Sequence, residues 1–509
     1  MSTAIQLAIV LGYLVVVLGV GLVAYRVTER TAEDYFLASR TLGTVVMLFT
    51  MFATLLSAFT FFGGPDIAYA NGPEWLLVMG LMDGIIFAVL WYALGYKQWL
   101  LGRHHGFLTL GELLGARFAS RSVRALVALV SLGWLFPYVM LQQIGAGAAL
   151  ASLTDGTVPF WLGASLITGF MIAYVLLAGM RGIAWTDTLQ GLFMLVVVWV
   201  ALAWVLAAVG GLEPINAGLR ADHPTFLALG SEFYTPQTML TFAVSIAIGV
   251  TMFPQVNQRF FTAASVDVLK RSLALWPVLV VLLFVPAFLL GSWAAGLGLE
   301  ADVDAGESIL PVIIDTYTPA WFAAVVVAGA LAAMMSSSDS MLLSGASYFT
   351  RDLYRPLVDP ELDTRQEDAL GRIGVVVFAT ASLLASIWVH EGGLGAGSIG
   401  SVLVSIGDLA FGGFAQLAPA VGLALYWRRT TTAGFVAGIA LPQLVYLAAN
   451  FLPTATVGPL EVVATSYAGW GISLYCLVLG ALATVAVSLA TRPAPEPATA
   501  PFFGDLALE

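Results

Sequence analysis

Charge is scarce in this chain: Asp, Glu, Lys and Arg together make up only 10% of its 509 residues. A soluble domain needs about a quarter charged residues to cover its surface, so an aqueous surface of ordinary size is excluded. Cysteine is nearly absent. The single thiol, Cys476, sits in an apolar run and cannot form an internal disulfide; it reads as a space-filler and says nothing about redox compartment. Histidine is rare too, and His104, His105, His223 and His390 fall in loops or at the ends of apolar runs, which disfavours proton relays by histidine. The chain has no Gly-rich phosphate loop with its lysine, no Cys/His metal cluster and no recognisable nucleophile–base pair. ATP-driven transport, a membrane enzyme and nucleic-acid binding are poor fits.

What is abundant is apolar: 60% of residues are hydrophobic and the mean hydropathy is +0.92. Runs of about 20 apolar residues, each able to cross a hydrocarbon core of about 30 Å, recur along the whole length. Thirteen spans are expected, at about 4–24, 45–70, 75–96, 123–151, 159–179, 185–210, 238–258, 273–297, 321–348, 372–390, 399–427, 433–452 and 468–490. The first is expected to be a true span rather than a signal peptide, because Arg26 and Arg30 follow it and no basic segment precedes it. With the N-terminus outside and alternate loops assigned to each side, nineteen of the twenty Lys and Arg fall on the inner side, all but Arg220. That excess sets the orientation: N-terminus outside, C-terminus cytoplasmic, an odd number of spans. The net charge of −11 is placed mainly in outer loops, by Glu300, Asp302, Asp304, Glu307 and Asp315.

No soluble domain is expected, which disfavours a sensor, and the Pro- and Ala-rich tail at 491–509 reads as disordered. Two spans look broken, the second by Gly63-Gly64-Pro65 and the seventh by Gly249 and Pro254. Proline removes a helical hydrogen bond and glycine weakens the helix. Backbone groups freed at membrane depth are tolerated only where they line a cavity or bind something. Breaks five spans apart are the pattern of two inverted five-helix repeats, each opening on a discontinuous helix.

The strongest local signal is Ala332-Ala333-Met334-Met335-Ser336-Ser337-Ser338-Asp339-Ser340, with five polar side chains in succession inside an apolar run. One or two serines could bond back to their own helix; five are hard to explain by packing. Helical spacing puts Ala333, Ser336 and Ser337 on one face, and hydroxyl and carbonyl oxygens are the ligands a small, hard cation takes. Five acids also lie within spans: Asp66, Asp83, Asp187, Asp339 and Asp408. Each costs about 2.5–3.5 kcal/mol at a helix centre, roughly 12–18 kcal/mol if all were central and unpaired. No Lys or Arg is expected deep in a span to offset them, leaving bound cations, hydroxyl donors or protonation.

This serine stretch, continuing to Thr350-Arg351-Asp352-Leu353-Tyr354, resembles the sodium:solute symporter family. So do Asp34 to Arg40, Ser57-Ala58-Phe59-Thr60-Phe61, Trp185 to Gln190 and Ala410-Phe411-Gly412-Gly413, and the likeness to the pantothenate- and proline-type branch runs from about 5 to 450. The resemblance implies an all-α, LeuT-like fold of about 13 transmembrane helices. Its expected divisions are a first helix and cytoplasmic loop (1–44), a first five-helix repeat (45–210), an outer loop (211–237), a second repeat (238–427) and two C-terminal helices (428–490). It implies a sodium ion held by the carbonyls of Ala53, Leu56 and Ala333 and the hydroxyls of Ser336 and Ser337. A second cation site would use Asp187, Asp339 and Ser340; here an aspartate stands where the family places a neutral ligand. The implied solute-facing positions are Ser57, Thr60 and Phe61. Gly249 and Gln255 flank the second break, and Asp83 and Asp408 are the polar groups added to the expected site. The expected activity is sodium-coupled symport of a small organic solute into the cell across the lipid bilayer, with no obligate protein partner. A proton-coupled symporter of the same fold is the nearest competing reading, and a passive channel the competitor from another class.

Overall fold

The computed structural model describes residues 3–27, 31–300, 308–393, 399–453, 455–457, 460–493 and 496–503. Arg30, Asp302, Asp304 and Glu307 lie outside the described residues. Eleven described helices are long and apolar enough to cross a membrane, and two bent helix pairs raise the number to thirteen. In chain order the spans are Thr3–Arg26, the pair Thr44–Leu55 and Phe59–Asn71, Leu77–His105, Arg121–Leu153, Phe160–Leu177 and Gly179–Val209. The remainder are the pair Pro236–Thr251 and Pro254–Thr262, then Val266–Gly296, Ala320–Leu357, Arg365–Gly392, Leu403–Tyr426, Thr432–Phe451 and Ile472–Ala490. Spans begin where side chains cap free backbone N–H groups: Thr235 accepts from Thr238 N, and Ser120 from Val123 N. Between spans 12 and 13 the chain makes two short antiparallel hairpins, Ala455–Val457 with Leu460–Val463 and Ser466–Tyr467 with Trp470–Gly471. The ninth span is the most enclosed, with 83% of its apolar window buried against the rest of the protein; it is the axis of the bundle.

Both expected breaks exist, but the first lies elsewhere. Span 2 bends by 68° between Leu55 and Phe59, upstream of the glycines, and span 7 bends by 55° between Thr251 and Pro254. Leu56 adopts an extended conformation at the first break. Gly63 and Gly64 are helical. The helix tolerates Pro65 because the preceding turn, Phe59–Gly63, is widened into a π-helix, which relieves the missing N–H. Gly64 is small for another reason: a Cβ there would lie 2.2 Å from the Phe288 ring of span 8.

At one end of the bundle the loops are tied by ion pairs. Arg124 reaches Asp352 at 2.8 Å and Glu112 at 3.0 Å, and Arg351 reaches Glu112 at 2.9 Å and Glu367 at 2.6 Å. Arg181 meets Asp34 at 2.6 Å. The same end receives a described part of the C-terminal segment. Residues Glu496–Phe503 form a helix. Phe502 stacks on His105 at 5.4 Å, while Phe503 lies 4.9 Å from the Arg117 guanidinium and 5.7 Å from that of Arg428. Burial pushes the Arg117 guanidinium down to about 10. One aromatic side chain over cations and another stacked on a ring supply the anchorage that a Pro/Ala composition conceals.

Candidate functional site

The bend in span 2 frees backbone carbonyls beside span 9, and the serines of span 9 meet them. Ser336 Oγ donates to Ala53 O at 2.8 Å and to Ala333 O of its own helix at 3.0 Å. Ser337 Oγ donates to Leu56 O and, at 2.9 Å, to Thr54 O. Ala53, Leu56, Ala333, Ser336 and Ser337 are thus gathered at one point, all with at most 2% exposure. The set is five neutral oxygens in a dry environment, the chemistry of a site for a small monovalent cation.

Next to these residues is a narrow cavity with a water-accessible volume of about 30 Å³, room for a water or two. Leu55, Leu56, Ser57, Phe59 and Thr60 of span 2 form one wall, with Asp83 and Phe87 of span 3, Tyr138 of span 4, Trp276 and Phe284 of span 8 and Phe411 of span 11. Of the expected solute-facing residues, Ser57, Thr60 and Asp83 line it, and Phe61, Gly249, Gln255 and Asp408 do not. Gly249 is a packing residue: a Cβ there would sit 2.2 Å from the Phe411 carbonyl, so it lets span 7 touch span 11. Phe61 is buried in the core cluster. Gln255 is buried in the first turn after the second break, and neither atom of its amide has a partner. Asp408 is half-buried on span 11.

A larger cavity, about 760 Å³, opens at the end opposite the ion pairs. Its walls include Ser152 of span 4 and Asp155 in the turn after it, Asp315 of the helix Ile309–Tyr317, Ala330 of span 9 and His390, with Phe62 from span 2. Asp66 caps that short helix, accepting from Ser308 Oγ and Ile309 N at 2.9 Å each, which accounts for one intramembrane acid.

The expectation that no basic group lies deep in a span is wrong. Arg259, in the half-helix Pro254–Thr262, has a fully buried side chain, and its Nη2 lies 3.0 Å from Asp187 Oδ2. The same nitrogen donates to Ser340 Oγ at 2.5 Å, and Thr50 Oγ1 donates to Asp187 Oδ2 at 2.5 Å. Ser340 Oγ reaches Asp339 Oδ1 at 3.3 Å, while Asp339 Oδ2 has no partner. Asp187, Ser340 and Asp339 do converge, but a guanidinium stands between Asp187 and Ser340. Ending span 7 at residue 258 hid this, since Asn257-Gln258-Arg259 reads as the start of a loop.

Several site residues gave no signal that sequence reasoning used. Tyr138 donates to Ser57 Oγ at 3.2 Å, and Gln142 Oε1 accepts from Ala58 N at 2.8 Å, steadying the first break. The pair Gln142-Gln143 in an otherwise apolar span was a usable clue. Phe411 was marked only as part of the Ala410-Phe411-Gly412-Gly413 motif, not as a cavity residue, and Trp276 had no signal because aromatics are common throughout this chain.

The sodium:solute symporter family profile matches residues 35–441. The chain is 30% identical to the sodium/pantothenate symporter of Escherichia coli (strain K12) over 455 residues, 87% of this chain and 90% of that protein. It is 26% identical to the sodium/proline symporter of Haemophilus influenzae, with 84% of each chain covered. Its fold is similar to that of a Na+-coupled sialic acid symporter solved in a substrate-bound outward-open state, with a TM-score of 0.77 over 96% of this chain and 99% of that one, at 23% identity. That likeness gives the fold, the LeuT-like arrangement in which both broken spans open a repeat. The chain is therefore a member of the sodium:solute symporter family, a secondary transporter that couples a solute to sodium.

Proposed function

We propose that this transporter carries a small organic solute into the cell with sodium bound by the Ala53, Leu56 and Ala333 carbonyls and the Ser336 and Ser337 hydroxyls. The observation that carries this reading is the direct contact of both hydroxyls with carbonyls released by the span-2 break. The hydroxyls donate to those carbonyls, and a small rotation of each Oγ turns its lone pairs to a shared cation instead. Sodium would then brace span 2 against span 9, and the solute would bind against Ser57 and Thr60 once the adjoining cavity, now sized for a water or two, widens to admit it. Coupling follows, because each ligand orders a backbone segment that the other needs. The wide cavity near Phe62 serves as the outer vestibule, and the ion-paired end as the closed inner gate. On this reading the two repeats divide near 45–210 and 238–427, the N-terminus is outside and the C-terminus cytoplasmic.

One sodium, not two, is the stoichiometry this reading favours. A second cation beside Asp187 would have to displace Arg259, which already neutralises that carboxylate at 3.0 Å. The test is uptake into proteoliposomes under an imposed sodium gradient. Ser336→Ala and Ser337→Ala should each raise the half-saturating sodium concentration at least tenfold with expression unchanged. Sodium dependence unaltered in both variants would refute the site, and uptake driven by a proton gradient alone would favour proton coupling.

A further inference from the structure

The cavity beside the proposed sodium site contains an acid that nothing in the protein satisfies. Asp83 is 8% exposed, lines the cavity, and its Oδ1 has no hydrogen-bond donor. Among the described lining residues there is no Lys, Arg or His. Of the other buried intramembrane acids, Asp66 caps a helix, Asp187 pairs with Arg259, and Asp339, whose Oδ2 is also unpartnered, does not line this cavity. Buried carboxylates without partners are rare in membranes and mark ligand paths.

The rest of the wall fits a positive charge. Span 3 packs on span 8 at Gly84, where a Cβ would make ordinary contact with Val280 at 3.6 Å, and Asp83 shares the cavity wall with Trp276 and Phe284 of span 8. Trp276 and Phe87 meet edge to face at 5.0 Å, and Phe284, Phe59 and Phe411 complete the apolar surround. Ring faces attract cations, and a box of rings with one carboxylate is a recurring receptor for substituted ammonium groups. The same surround disfavours a bare carboxylate next to Asp83, since like charges repel strongly in a dry cavity. The indole N–H of Trp276 is also buried without a partner, leaving one donor for an oxygen of the solute.

We infer that the solute carries a positively charged nitrogen, an amine or quaternary ammonium that binds Asp83 within this aromatic cavity, alone or as the cationic half of a zwitterion. This rests on the cavity being the solute site and deepens that reading by naming the chemical class. Sodium at its five neutral ligands adds one positive charge near the same cavity, and Asp83 balances it without excluding a zwitterion of no net charge.

The experiment measures sodium-dependent thermal stabilisation of the full chain in detergent with four probes: choline, glycine betaine, L-proline and pantothenate. The first three carry a cationic nitrogen and pantothenate does not. Stabilisation by at least one of the first three, and none by pantothenate, is expected. Asp83→Asn should weaken that probe at least tenfold, while the variant still unfolds in one cooperative transition and still gains stability from sodium alone, which shows the fold intact. Asp83→Glu should retain part of the binding. A response to pantothenate alone, a response to none of the three nitrogen cations, or unchanged affinity in Asp83→Asn overturns the assignment. Loss of the sodium requirement in the parent protein would instead count against the sodium site and leave the solute class standing.

Discussion

At the scale of single residues, the buried Arg259–Asp187 pair has the largest energetic stake. Taking two charges out of water is expensive, and Thr50 and Ser340 offset part of that cost by hydrogen-bonding Asp187 Oδ2 and Arg259, while Asp187 Oδ1 has no partner among the described residues. Removing one partner leaves the other charged and unsatisfied. Arg259→Ala should therefore destabilise the protein by about 3–5 kcal/mol, read as a lower melting temperature in detergent. The double variant Arg259→Gln/Asp187→Asn should recover most of it; a double variant no better than the single would deny the pairing. Asp339 is a separate case, since its Oδ2 has no hydrogen-bond partner among the described residues. If one sodium suffices, Asp339→Ser leaves the sodium Hill coefficient of uptake at its parental value, and a fall or rise would restore the second site. How legible these residues were follows from contrast. Serines and acids stand out in an apolar run, so Ser336, Ser337 and Asp187 could be found from sequence. Arg259 looked like a loop residue because a cation near a span end is usually solvated, and only the buried half-helix after Pro254 shows otherwise.

At the scale of elements, the breaks are the informative features, and glycine positions misled about the first. Gly-Gly-Pro weakens a helix, yet the chain there stays helical because the small residues are needed for close packing with span 8. The real break, at Leu56–Ala58, has no proline or glycine; tertiary contacts from Gln142 and the span-9 serines hold it. A break made by partners rather than by local propensity cannot be read from its own residues. Span 8 shows the complementary rule: Gly291 lies where a Cβ would come 2.2 Å from the Pro65 carbonyl. Overpacking of this kind costs about 1–3 kcal/mol. Gly291→Ala should lower the melting temperature and slow uptake, since it wedges span 8 away from span 2 beside the cavity. Gly298→Ala is the control for open space, as no atom lies within 4 Å of a Cβ there, although its φ of +66° adds a small strain of its own.

For the whole molecule, orientation decides whether the wide cavity is an entrance and the ion-paired end a gate. The argument is electrostatic. Arg117, Arg124, Arg181, Arg351 and Arg428 all sit at one end, where they pair with Asp34, Glu112, Asp352 and Glu367 or hold the C-terminal helix. Cationic loops are retained on the cytoplasmic side during insertion, so the proposed orientation has that end facing inward and, with thirteen spans, the N-terminus outside. The native thiol makes a direct test possible, because Cys476 is fully buried and should not react with a membrane-impermeant maleimide. Leu229 is 80% exposed in the loop after span 6, and Val358 is 64% exposed in the loop after span 9. Leu229→Cys should label in intact cells. Val358→Cys should label only after the membrane is permeabilised. Labelling of both from outside, or of Val358→Cys alone, would invert or break the topology and with it the roles of vestibule and gate. The expected pattern would instead place Asp155 and Asp315 at the mouth of the outer vestibule, where two acids draw cations toward the path that ends near Phe62.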